Sequence, residues 1–135
     1  PACQVVTEPA GKTDLEKWQG TWVEATCEWK GEDVGFNDQR PRWIRAVKGN
    51  RSLVMDQDGG AIHDLTFSLK PGQAPRAIDI HVIRGPDSGQ TNLGIYQFDG
   101  DNLKICWTIA GQERPTVFTT KRGTGICFQT WKRTP

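Results

Sequence analysis

Methionine occurs once, tyrosine once and histidine twice, and nowhere does the sequence approach the roughly 18 consecutive apolar residues that a membrane-spanning helix needs. Neither sign of charge dominates: 17 Lys plus Arg face 16 Asp plus Glu, a formal net charge of +1. A nucleic-acid binder would carry a basic excess, and a disordered or acidic tail the opposite bias, so the balance argues against both. Helix formers are scarce. Leu, Ala and Met total 15, whereas the β-branched Ile, Val and Thr total 30, which disfavours a helical bundle. No CxxC pair occurs among Cys3, Cys27, Cys106 and Cys127, which excludes a zinc ribbon and a thioredoxin-type motif.

What is present reads as one all-β domain. The 135 residues suffice for a single hydrophobic core, and 23 Gly and Pro punctuate them. Residues 1–12 (PACQVVTEPAGK) have no periodicity and read as an N-terminal tether, with residues 13–135 forming the domain. Thr13-Asp14-Leu15-Glu16 fits a capping box, and Gly20 ends the short helix it starts. From there strands are expected at 21–29, 42–48, 51–57, 61–69, 77–84, 92–98, 102–109, 115–120 and 125–132. Gly49-Asn50 and Gly100-Asp101 mark tight hairpins.

Several of these strands alternate with period two. Leu65, Phe67 and Leu69 oppose Asp64, Thr66 and Ser68. Ile78, Ile80 and Val82 oppose Asp79 and His81, and Leu103, Ile105 and Trp107 oppose Lys104, Cys106 and Thr108. Half-buried antiparallel strands in hairpin succession imply an up-and-down barrel, with a sandwich as the alternative. Closure would remove the edge strands.

Trp18-Gln19-Gly20-Thr21-Trp22, a short helix followed by Gly-x-Trp and a strand, resembles the opening of the calycin superfamily of lipocalins, fatty-acid-binding proteins and avidins. The resemblance implies that Trp22 plugs the closed end of a barrel beneath a basic residue of the last strand, where Lys132 and Arg133 lie. A narrower pattern runs from Leu15 through Ile78-Asp79-Ile80, residues 94–106 (GIYQFDGDNLKIC) and Glu113-Arg114-Pro115-Thr116 to Trp131-Lys132-Arg133. It is similar to an uncharacterised lipocalin-like domain family expanded in planctomycete bacteria, which implies a fold and a bacterial source but no ligand or activity. If Trp22 lies beside Lys132, as the superfamily contact suggests, antiparallel register puts Cys27 opposite Cys127, within reach of a disulfide. Cys3 and Cys106 would then be left to pair through the tether; free thiols are the alternative.

The even cysteine count and a start at Pro1 suit an exported protein, periplasmic or extracellular. Pro1-Ala2-Cys3 also resembles a lipoprotein junction, although cleavage there would have removed Pro1 and Ala2.

Catalytic chemistry finds little support. Ser52, Ser68 and Ser88 have no nucleophile-elbow context, and Asp99-Gly100-Asp101 lacks the remaining ligands of a calcium loop. His81 is expected in solvent and His63, sharing the face of Leu65 and Phe67, inside; two histidines alone do not make a metal site. No catalytic residue, metal or cofactor is expected. The ligand-facing candidates are Trp43, Phe67, Tyr96, Trp107 and Phe118, with Arg45 on the face of Trp43 as a polar anchor and Glu24 on that of Trp22. They suggest a non-enzymatic module that holds a small, largely apolar molecule in the barrel mouth. The alternative is a structural or protein-interaction module with a filled core and exposed Trp29 and Trp131. A hydrolase or isomerase inside the barrel is a remote third.

Overall fold

The computed structural model describes residues 13–29, 31–36, 40–85, 87–109, 111–120 and 125–134. The proposed tether, and with it Cys3, its pairing and its lipid anchor, lies outside the described residues. Among them run one helix, α1 (Asp14–Trp18), and nine strands: β1 (Gly20–Trp29), β2 (Glu32–Asp33), β3 (Ile44–Lys48), β4 (Arg51–Met55), β5 (Ala61–Lys70), β6 (Ala77–Arg84), β7 (Thr91–Asp99), β8 (Asn102–Thr108) and β9 (Ile126–Arg133). Except for β2, which pairs only with the end of β1, each strand pairs antiparallel with the next. β9 returns to β1, so an eight-stranded up-and-down barrel closes on itself.

α1 has only five residues and cannot persist alone. Its capping box is complete: Thr13 Oγ1 accepts from the Glu16 N–H at 3.2 Å and Glu16 Oε1 accepts from the Thr13 N–H at 3.1 Å. Tertiary ties hold the rest. Tyr96 Oη donates to Asp14 Oδ2 at 2.7 Å, and the Gln19 amide donates to the Gly49 carbonyl at 2.9 Å. Trp18, fully buried, plugs this end against Phe67, Tyr96 and Phe98, with ring centroids 5.1, 5.6 and 6.2 Å away. Such packing, worth about 3–5 kcal/mol for a large aromatic, anchors the helix.

Trp22 is equally buried and donates its indole N–H to the Trp18 carbonyl at 3.0 Å. The basic residue over it is Arg133, 4.1 Å from guanidinium carbon to ring centroid. Arg133 also donates to the carbonyls of Lys17 and Gln19, capping the end of α1. Lys132 is exposed.

The register departs from the expected one. Trp22 pairs with Arg133 and Val23 with Lys132, one position off. A β-bulge between Glu24 and Thr26 shifts it further, so Cys27 lies opposite Gln129 while Cys127 lies opposite Trp29. The extra residue turns the alternation over: Trp22 and Glu24 are buried before the bulge and Cys27 after it. Cys27 and Cys127 are free thiols that neighbour each other across this diagonal, near enough for each to bear on the other's titration. The contact holds the Cys27 thiol below its ordinary pKa and, with burial, raises that of Cys127.

Residues 115–120 are not a strand. Pro115 has no N–H for a ladder, and the segment is held across the outer wall of the barrel by side chains. Arg114 donates to the carbonyls of Ile78 and Gly94, both at 2.9 Å, and to Asp79 at 2.6 Å. Thr120 donates through its N–H and hydroxyl to Glu28. Beneath the segment Cys106 is fully buried, its thiol 3.7 Å from the Thr119 carbonyl, and burial pushes its pKa up to about 11.

Candidate binding site

The half of the barrel beside α1 is solid. Trp18, Trp22, Phe67, Tyr96, Leu103, Ile105 and Trp131 fill it, each 2% exposed or less. A cavity of about 40 Å³ opens in the other half. Its apolar walls are Trp43, Val54, Leu65, Ile80, Val82 and Trp107, and its polar lining is Arg45, His63, Asp87, Asn92 and Gln129. At about 10–15 Å³ per water, this holds roughly three waters.

Gly94 lets β7 lie close against β8 beside Trp107. A Cβ there would stand 2.8 Å from the Cys106 carbonyl oxygen and 3.1 Å from Trp107 Cβ. Any larger residue would push β7 away from β8 beside the cavity wall.

Of the ligand-facing candidates, the structure brings Trp43, Arg45 and Trp107 together on the cavity. Phe67 and Tyr96 face inward too, but at the plugged end, packed on Trp18. Phe118 is outside the barrel, 6.0 Å from Phe128. Parity decides which face a residue takes; it does not decide how far along the barrel axis it sits. Trp131, expected on the surface in the interaction reading, is fully buried.

A polar network crosses the interior beside the cavity. Glu24 is fully buried and accepts four hydrogen bonds. Arg40 gives two through its paired Nη atoms at 3.0 Å, Gln129 Nε2 one at 2.7 Å and the Trp43 N–H one at 3.1 Å. Gln129 Oε1 in turn accepts from Trp107 Nε1 at 3.0 Å, and Arg40 stacks 3.8 Å from the Trp43 ring. The carboxylate is therefore spoken for on both oxygens.

Arg45 is different. It is 7% exposed, lies 4.6 Å from the centroid of Trp131 and donates Nη1 to Ser52 Oγ at 2.8 Å. Among the described residues no carboxylate pairs with it, and its Nε has no hydrogen-bond partner. Burial pulls its pKa down to about 10 against the field of Glu24, so it stays charged at neutral pH. Asn92 Oδ1, on the same cavity, is likewise buried without a donor. His63 stands edge-on to Trp43 with centroids 5.6 Å apart; burial and then the Arg45 charge lower its pKa and favour neutral imidazole.

Sequence reasoning missed Ser52, Asn92, Gln129 and Asp87 as part of this site. The first three share inward parity with Val54, Tyr96 and Trp131 respectively, so the pattern contained them once those were placed inside. Asp87 follows β6 in a loop and carried no periodic signal.

Among the described residues, no helix is long and apolar enough to cross a membrane, and no three His, Cys, Asp or Glu cluster as metal ligands. Comparison with family models, curated proteins and solved structures finds no match to the chain.

Proposed function

We propose that the chain is a non-enzymatic binding module that holds one small molecule, largely apolar, in the open mouth of its barrel. One observation carries the reading: the barrel is plugged at one end and retains, at the other, a cavity with six apolar walls and a buried guanidinium. Apolar burial supplies affinity and Arg45 supplies orientation. Drug-sized ligands occupy pockets of about 300–1,000 Å³, so the ligand here is smaller, or enters with one end only. The reading goes with an exported protein of the lipocalin-like bacterial family that the sequence resembles. A filled barrel acting through its outer surface is the competing reading, and the solid packing beside α1 favours it.

Native mass spectrometry of the protein from its own host tests the proposal. A co-purifying small molecule is expected. A clean apo mass, together with no change in tryptophan emission across a panel of small aliphatic and aromatic molecules, would leave the surface-interaction reading in its place.

A further inference from the structure

We infer that the molecule held in the mouth is an organic monocarboxylate, its carboxylate seated against Arg45; the inference rests on the binding reading above. Charge balance is the first argument. Inside the barrel Glu24 and Arg40 cancel in a two-point ion pair, and Arg45 remains as one positive charge in ion-pair contact with no carboxylate among the described residues, the Asp87 carboxylate on the cavity lining included. A guanidinium has five N–H donors; this one, 93% buried by its 7% exposure, uses one of them, on a neutral hydroxyl. Burying a charge with its donors unmet is costly, and a carboxylate offers charge and acceptors in the geometry that a guanidinium matches best.

The walls define the rest of the ligand. Trp43, Leu65, Ile80 and Trp107 offer apolar surface that inorganic phosphate or sulfate would leave unused. Asp87, half-buried on the cavity lining, opposes a second negative charge and so selects a monoanion. Asn92 Oδ1 is an acceptor without a donor, which a hydroxyl on the ligand or a water carried with it would satisfy.

The test is calorimetric titration of the full chain with straight-chain and aromatic monocarboxylates of three to eight carbons. The matched alcohols and inorganic phosphate serve as controls. At least one carboxylate is expected to bind tenfold or more tightly than its alcohol, with phosphate not competing. Arg45→Met should abolish that preference while alcohol binding stays. Asp87→Asn, at the mouth and away from the packed core, should tighten carboxylate binding two- to fivefold, and it decides the matter if Arg45→Met does not fold. Alcohols that bind as well as acids would overturn the carboxylate inference and leave the binding module standing. Phosphate that binds as tightly as the acids would overturn the organic part. No binding by any probe would remove both readings.

Discussion

Replacing Glu24 by glutamine keeps the shape of the side chain and removes its charge. In the fold, Oε1 faces the Trp43 N–H and one Arg40 nitrogen, and Oε2 faces the other Arg40 nitrogen and Gln129 Nε2. A glutamine can keep one oxygen, and so serve one of these two pairs. Its NH₂ would then point at two donors. Gln129 cannot turn its own amide to help, because its oxygen already accepts from Trp107. A hydrogen bond to a charged group contributes about 1.5–3 kcal/mol, and breaking a buried pair by removing one partner costs about 3–5 kcal/mol. Because the Arg40 side chain is 23% exposed and can turn to water, the lower end applies, about 3 kcal/mol. Against a total stability of roughly 5–15 kcal/mol, that is a large loss. Urea unfolding followed by tryptophan emission should show the midpoint falling with an unchanged slope. Arg40→Met combined with Glu24→Gln should lose at least about 1 kcal/mol less than the two separate losses added together. A loss below about 1 kcal/mol for Glu24→Gln, or strict additivity in the pair, would refute the account of this network.

Three further outcomes follow from the same geometry. Arg114→Ala removes three hydrogen bonds that hold residues 111–120 against β6 and β7, so iodoacetamide should label Cys106 at least tenfold faster than in the parent; equal rates would show that the segment does not guard it. His63 has a folded pKa below its unfolded one. Its contribution to stability is therefore full above about pH 6.5 and is lost as pH falls from there through the folded value. Replacing His63 by glutamine should flatten that part of the stability profile, and an unchanged profile would count against its burial on the cavity. Diamide, a two-electron thiol oxidant, should join Cys27 to Cys127 with loss of two hydrogens, the diamide being reduced to its hydrazine. A peptide map with both cysteines still alkylatable would sink that pairing.

The helix start and most strands were legible because their signals are local. Thr13 and Glu16 lie three apart, so the capping-box signal is contained within four residues of sequence. Leu65 and Phe67, or Leu103 and Ile105, show the two-residue period of a strand with one face buried, and all four are in the core. The segment 115–120 misled the reading. Its short run of Val117 and Phe118 looks strand-like, but Val117 is exposed and Phe118 covers the outer wall. What holds it there is Arg114 reaching backbone carbonyls of β6 and β7, a contact with no trace in nearby sequence.

Phe118, expected inside, lies outside the barrel; for the other candidates the site was legible by face and not by depth. Trp43, Arg45, Phe67, Tyr96 and Trp107 all point inward, yet only Trp43, Arg45 and Trp107 share the cavity. The thiol pair shows the same limit. Constant antiparallel register placed Cys27 opposite Cys127, but a one-position offset at Trp22 and one bulged residue at Ala25 together moved the partners two positions apart. Alternation, turn chemistry and capping follow from steric and hydrogen-bonding rules that act within a few residues, and these determined an all-β chain with a short capped helix. Register, bulges and the height of each side chain in the barrel depend on how β1 meets β9 from opposite ends of the chain. Only tertiary packing decided them, and with them which buried arginine was left without a carboxylate partner among the described residues.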